Sequence, residues 1–141
     1  MPSELKWDQT WLTIAKEISY LSKDPSTKVG SVIVTPDNTN CSIGYNGMLK
    51  GMIETPELWN NREQKYLEVI HSEENNMLHC PFLTKDCKIY ITHEPCIKCM
   101  IRLLQKGITE VIFLNEYPRK GDDITYKKYK SKFKRFIKIG I

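Results

Sequence analysis

Nothing in the sequence ties the chain to a membrane or to a secretory route. No apolar run approaches the ~20 residues that a membrane-spanning helix needs, and Met1-Pro2-Ser3-Glu4-Leu5-Lys6 lacks the apolar centre of a signal peptide. Histidine is scarce, with three in 141 residues, and the five cysteines are an odd number that closes no disulfide framework. The expectation is a reducing, cytoplasmic setting. The body of the chain also lacks an excess of either charge. Residues 122–141 carry seven basic side chains against two acidic ones, which leaves the remainder at −1 out of an overall +4. No nucleic-acid footprint is expected on the body, and the basic character belongs to that last stretch.

What remains is an ordinary globular composition. At 40% hydrophobic and 27% charged residues, the chain is expected to form one domain, 1–141, large enough for one sheet with helices on it.

The scarce residues are concentrated in one region. His71-Ser72-Glu73 is followed, after a further 21 residues, by Pro95-Cys96-Ile97-Lys98-Cys99. One imidazole and two thiolates make a zinc-binding set, and three protein ligands leave a fourth position open, as in a catalytic site. Cys96 and Cys99 at a helix start place two sulfurs one turn apart near the positive end of the backbone dipole, which favours thiolates. Pro95 suits a helix entry because it has no N–H to satisfy. Glu73, two residues past His71, is free to move protons rather than bind metal. A structural zinc with His79, Cys80 or Cys87 as fourth ligand is the alternative, and it would leave Glu73 without a role.

The pattern along the chain is α/β. Trp11, Ile14, Ala15, Ile18 and Leu21 recur at helical spacing and predict a helix from about Thr10 to Lys23, capped by Asp8 or Thr10. Ser31–Val34 and Cys41–Gly44 flank the Pro36-Asp37-Asn38 turn and predict an antiparallel hairpin. Residues 48–61 read as a long loop. A zinc helix is expected from about Leu67 or Val69 to Leu78, and Asn76 on its packed face needs a hydrogen-bonding partner. Strands at Ile89–Thr92 and Val111–Leu114 enclose a helix from Cys96 to about Lys106, stopped by Gly107, so they are expected to be parallel. Tyr126, Tyr129, Phe133, Phe136 and Ile137 predict a basic amphipathic helix over about 124–137. The fold expected is a three-layer α/β/α sandwich whose mixed sheet begins with an antiparallel hairpin and continues in parallel strands. The zinc site would lie at the amino ends of two helices.

On residues alone, Gly44-Tyr45-Asn46-Gly47 reads equally as a bare turn or as a close backbone approach to a ligand. Arg62 and Lys65 read as phosphate contacts or as a solvated basic face, and Tyr117 as a pocket wall or a packed loop residue.

The His-x-Glu…Pro-Cys-x-x-Cys pattern resembles that of the zinc nucleobase deaminases. Together with Ser22-Lys23-Asp24-Pro25, Val29-Gly30 and Gly44-Tyr45-Asn46-Gly47, it is similar to the cytidine and deoxycytidylate deaminase superfamily over roughly residues 7–115. The closest likeness is to the deoxycytidylate (dCMP) deaminases, including those of large DNA viruses, for which the compartment would be the host cytosol. The resemblance implies a cytidine-deaminase-like fold, one Zn²⁺ on His71, Cys96 and Cys99, and hydrolysis of dCMP to dUMP and ammonia for thymidylate synthesis. Glu73 would act as base and then acid. Asn46 would meet the sugar hydroxyl, and the Ser72 main-chain N–H the pyrimidine oxygen. Lys23 is the first candidate for the phosphate, followed by Arg62 and Lys65, with Tyr117 at the edge of the base.

In regulated members the backbone around Gly44, Tyr45 and Gly47 contributes to an effector site. dCTP or dTTP there, with Mg²⁺ on the triphosphate, and a homo-oligomer of hexamer size or smaller are implied. Other cytosine nucleotides or nucleosides (dCTP, cytidine, deoxycytidine) and a non-enzymatic zinc-stabilised binding module are the alternative readings.

Overall fold

The computed structural model describes residues 1–116 and 123–141. Five strands form one sheet in the order β2-β1-β3-β4-β5. β1 (Gly30–Val34) pairs antiparallel with β2 (Cys41–Tyr45) and with β3 (Lys88–His93). β4 (Glu110–Asn115) runs parallel to β3, and β5 (Arg135–Lys138) runs parallel to β4. The mixed sheet expected from the pattern is present.

Alternation along the strands sorts the core into two layers. Val32, Val34, Tyr90 and Ile112 face α1 (Glu4–Ser19), which brings Leu12 and Ala15 onto them. Ile33, Ile89, Ile91, Val111 and Phe113 face the other way, onto Met100 and Leu103 of α5 (Ile97–Gln105) and Tyr126 of α6 (Asp123–Lys130). α4 (Ser72–His79) packs beside them over β1 and β2. The result is an α/β/α sandwich.

Five expectations are corrected. The first helix begins at Glu4 rather than Thr10 and ends at Ser19, because Ser3 is the cap and accepts the Lys6 N–H. Asp8 is not a cap. It is 2% exposed and accepts the Tyr90 hydroxyl at 2.7 Å and the Arg135 guanidinium at 2.8 Å. Residues 48–61 are not all loop. They include α2 (Pro56–Asn60), capped by Thr55, and Asn61 then caps α3 (Arg62–Glu68). The zinc helix starts only at Ser72, because Ile70 forms a two-bond bridge with Gly47 that holds the chain extended between α3 and α4. Finally, the helix expected over 124–137 ends at Lys130, and Arg135–Lys138 instead form the fifth strand.

Two glycines fit their predicted or new roles for different reasons. Gly107 ends α5 with φ +82°, a backbone conformation that disfavours side chains. Gly44 does not have positive φ. A Cβ there would lie 2.6 Å from the Ser72 carbonyl and 2.7 Å from Asn76 Cβ, so its absence lets α4 lie against β2. Asn76 finds its partners on this seam. Its Nδ2 donates to Ser31 Oγ at 3.1 Å and to the Ser42 carbonyl at 3.0 Å, while its Oδ1 has no partner among the described residues.

Candidate active site

The three metal-ligand candidates sit at the starts of two neighbouring helices. His71 is the N-cap of α4, Cys96 the N-cap of α5, and Cys99 lies in the first turn of α5. His71 Nδ1 is 3.4 Å from Cys99 Sγ and 3.8 Å from Cys96 Sγ, and all three ligand atoms lie within 4.8 Å of one another. A tetrahedral Zn²⁺ with bonds of about 2.3 Å to sulfur and 2.0 Å to nitrogen requires edges of roughly 3.5–3.8 Å. The donor set fits the ion.

The protonation chemistry agrees. The Cys96 thiol is held well below its ordinary range by the hydrogen bond from Cys99, with His71 adding to the effect. Cys99 is pushed up by the same contact and by burial. A cation between the two sulfurs would let both ionise. Zinc supplies that cation.

Glu73 lies one residue inside α4 and is 4% exposed. Burial pushes its carboxyl up to about 7, against the opposing attraction of His71. A carboxyl in that range both accepts and returns a proton near neutrality. Glu74 is left to the helix end, where it accepts the His71 N–H at 3.4 Å and pairs with Arg102 at 3.6 Å.

A cavity of about 340 Å³ opens onto His71, Glu73 and Cys96. Asn46, Ser72, Arg62 and Lys65 line it too, so the sequence placed five of its site residues here besides the metal ligands. The Ser72 hydroxyl points into the α4 seam, 2.8 Å from Ser31 Oγ and 3.0 Å from the Gly44 carbonyl. Asn46 Nδ2 donates to Asp24 Oδ2 at 3.1 Å and to the Thr27 carbonyl at 3.0 Å, and its Oδ1 accepts the Val29 N–H at 2.9 Å. That side chain shapes the loop before β1 and keeps one oxygen lone pair available.

Lys23, the first phosphate candidate, is not on this wall. It projects into solvent with a side chain 68% exposed and faces Glu54 at 3.8 Å. Gly44, Tyr45 and Gly47 also lie off the cavity: Gly44 packs on α4, the Tyr45 carbonyl accepts from Asn75, and Gly47 bridges to Ile70. Tyr117 lies outside the described residues. A second metal set does not form among the described residues. Cys87 is in the core, Cys80 Sγ contacts the Phe82 carbonyl, and His79 Nδ1 lies 2.9 Å from the Asn75 carbonyl.

Sequence reasoning missed Asp24, Trp59 and His93, which all line the cavity. Trp59 is 4% exposed, and its indole N–H has no partner among the described residues. The only signal for it was a lone tryptophan in a polar stretch. His93 could have been found from its place at the end of β3, directly before Glu94-Pro95-Cys96.

The sequence model for the cytidine and deoxycytidylate deaminase zinc-binding region matches residues 5–115. A probable deoxycytidylate deaminase of Caenorhabditis elegans is 41% identical over 116 residues, covering 79% of this chain and 58% of its own length. The deoxycytidylate deaminase of Homo sapiens is 33% identical over 127 residues, covering 86% of this chain and 71% of its own. Among solved structures, the dCMP deaminase of cyanophage S-TIM5 in complex with dCMP and dUMP superposes with a TM-score of 0.75 at 23% identity, covering 99% of each chain. With its candidate metal-ligand triad, its adjoining carboxyl and four of the five described strands inside the matched span, the chain belongs to the cytidine and deoxycytidylate deaminase family.

Proposed function

We propose that the protein hydrolyses dCMP to dUMP and ammonia. The observation that carries this reading is a buried carboxyl, Glu73, beside a zinc-binding triad in a cavity whose wall also carries Arg62 and Lys65. Relatives named deoxycytidylate deaminases support the choice of base and phosphate.

His71, Cys96 and Cys99 would hold Zn²⁺, which would supply the Lewis acidity that activates water near neutral pH. Glu73 takes a proton from the attacking water and delivers it to N3 of the cytosine, which makes C4 electrophilic as the new C–O bond forms. It then passes the second proton to the exocyclic nitrogen. The C4–N bond breaks, ammonia leaves, and the ring retains the N3 proton and the new carbonyl of uracil. The amino group leaves only when protonated, because amide ion is a poor leaving group.

Arg62 has no carboxylate partner among the described residues, so its charge is available to a phosphate. Lys65 is already matched by Asp24 at 2.9 Å and lies 5.6 Å from the Trp59 ring centre, so it serves chiefly to hold that wall. The free lone pair of Asn46 Oδ1 suits a sugar hydroxyl, and the Ser72 main-chain N–H suits the pyrimidine oxygen. Family membership supports a homo-oligomer and dCTP or dTTP effectors, with Mg²⁺ on the triphosphate. The exposed Tyr45 ring, off the cavity, suits an effector that does not compete with substrate. Five free cysteines fit a reducing, cytoplasmic compartment.

The test is ultraviolet assay of the zinc-loaded protein with dCMP, dCTP, cytidine and deoxycytidine. Fastest conversion of dCMP is expected. Zinc bound at one per chain with no turnover of any of the four would favour a binding module instead.

A further inference from the structure

His93 is half-buried at the carboxyl end of β3 and lines the cavity beside the metal ligands, yet the reaction as described leaves it without a role. Its Nδ1 lies 2.9 Å from Thr92 Oγ1. That hydroxyl also receives the Gly30 N–H at 3.1 Å, and Thr92 is 3% exposed. A buried hydroxyl with a donor on one side must place its own hydrogen on an acceptor. Among the described residues the acceptor in reach of that hydrogen is His93 Nδ1. An imidazole that accepts at Nδ1 carries its proton on Nε2. Nε2 has no protein partner among the described residues.

We propose that His93 is a specificity-determining residue that presents a fixed Nε2–H donor to an oxygen acceptor of the bound pyrimidine nucleotide. This rests on the nucleotide-deaminase reading above and names a further contact within that site. Burial of the ring holds its pKa below the ordinary histidine range, which keeps Nδ1 free for Thr92. The acceptor is either a phosphate oxygen or the pyrimidine carbonyl, since both offer lone pairs to an N–H donor.

The experiment uses the zinc-loaded full chain and the products dUMP and deoxyuridine, which bind without turnover. Calorimetric titration of His93→Phe, which keeps a ring but has no donor, is expected to show dUMP affinity reduced about tenfold or more. His93→Gln, whose amide N–H reaches a similar position, is expected to recover most of it. If deoxyuridine binding is untouched by His93→Phe, the acceptor is phosphate; if both products weaken alike, it is the pyrimidine carbonyl. Nitrogen NMR of the wild-type ring is expected to show a protonated Nε2 and a bare Nδ1 before any ligand is added. A wild-type protein that deaminates dCMP, but whose Nδ1 is protonated or whose His93→Phe variant binds dUMP unchanged, overturns the inference and leaves the deaminase reading standing. Absence of dCMP turnover and of dUMP binding in the wild type overturns both.

Discussion

Lys65 on α3 reaches across the cavity mouth to Asp24, placing Nζ 2.9 Å from Oδ1 with the two side chains 13% and 4% exposed. The same carboxylate accepts the main-chain N–H groups of Ser26 and Thr27 and the Asn46 amide. One buried anion thereby joins the loop before β1, the end of β2 and α3, which lies between the hairpin and α4. Asp24→Ala leaves a buried ammonium and three unmatched donors, and is expected to cost roughly 3 kcal/mol or more. Lys65→Met leaves the anion three of its partners and should cost about half as much or less. Urea denaturation midpoints check the order of the two.

Glu73→Gln keeps the shape of the side chain and removes the base. Zinc should stay at one per chain by metal analysis and the fold should be intact by circular dichroism. Turnover of dCMP is expected to fall at least about a hundredfold to ten-thousandfold. Near-normal turnover would remove Glu73 from the reaction.

Gly44 and Gly47 look alike in sequence and should respond differently. Gly44→Ala puts a Cβ 2.6 Å from the Ser72 carbonyl, so α4 must move and carry His71 and Glu73 with it. A loss of about 1–3 kcal/mol and weaker zinc retention in a chelator competition are expected. At Gly47 the nearest atom is the end of a flexible side chain, Glu54 Oε1 at 3.7 Å. Gly47→Ala should change stability by no more than about 0.5 kcal/mol.

Cys99→Ala should lose both metal and activity. Cys99 is fully buried beside His71, and without its sulfur the remaining pair is too weak a ligand set. Zinc well below one per chain, together with a lower melting temperature that added zinc does not restore, is the expected result. Retention of stoichiometric zinc would show that another residue is the third ligand.

Asp8→Ala removes the acceptor for Tyr90 and for two nitrogens of Arg135, which also bonds Glu110 through Nε. A loss of roughly 3 kcal/mol is expected. Because Lys88, Glu110 and Arg135 pair at the opposite strand ends from His93, the KM for dCMP should be unchanged below the melting temperature.

Legibility followed the range of the interactions. The clustering of His71, Cys96 and Cys99, the hairpin, β3, α5 and β4 were readable because scarce metal-binding side chains, turn residues and a Gly stop act locally. Asp8 looked like a cap and is a core acceptor, because its partners at 90 and 135 are remote in sequence. Tyr126, Tyr129, Phe133 and Phe136 keep helical spacing across a break, since the turn at 131–134 carries the same lysines as the helix before it. β5 is a strand through its pairing with β4, which no local pattern encodes. α2 and α3 are too short to show a period, although Thr55-Pro56 and Asn61 were caps in plain view. The cation inside the Ser-Lys-Asp-Pro motif, Lys23, points to water, whereas Arg62 arrives on an element whose placement depends on the Asp24 junction.

The clasp between the first helix and the last strand also sets an order of events during synthesis. Asp8 and Arg135 are 127 positions apart, so at ~5–20 residues per second a ribosome needs on the order of ten seconds to make the second after the first. From the emergence of β4 until β5 follows, β4 has no neighbour on one side, and its unpaired edge is open to other nascent chains. His71, Cys96 and Cys99 emerge before the clasp does, so metal capture by them can precede closure of the sheet, and pairing of β5 then covers the open edge of β4.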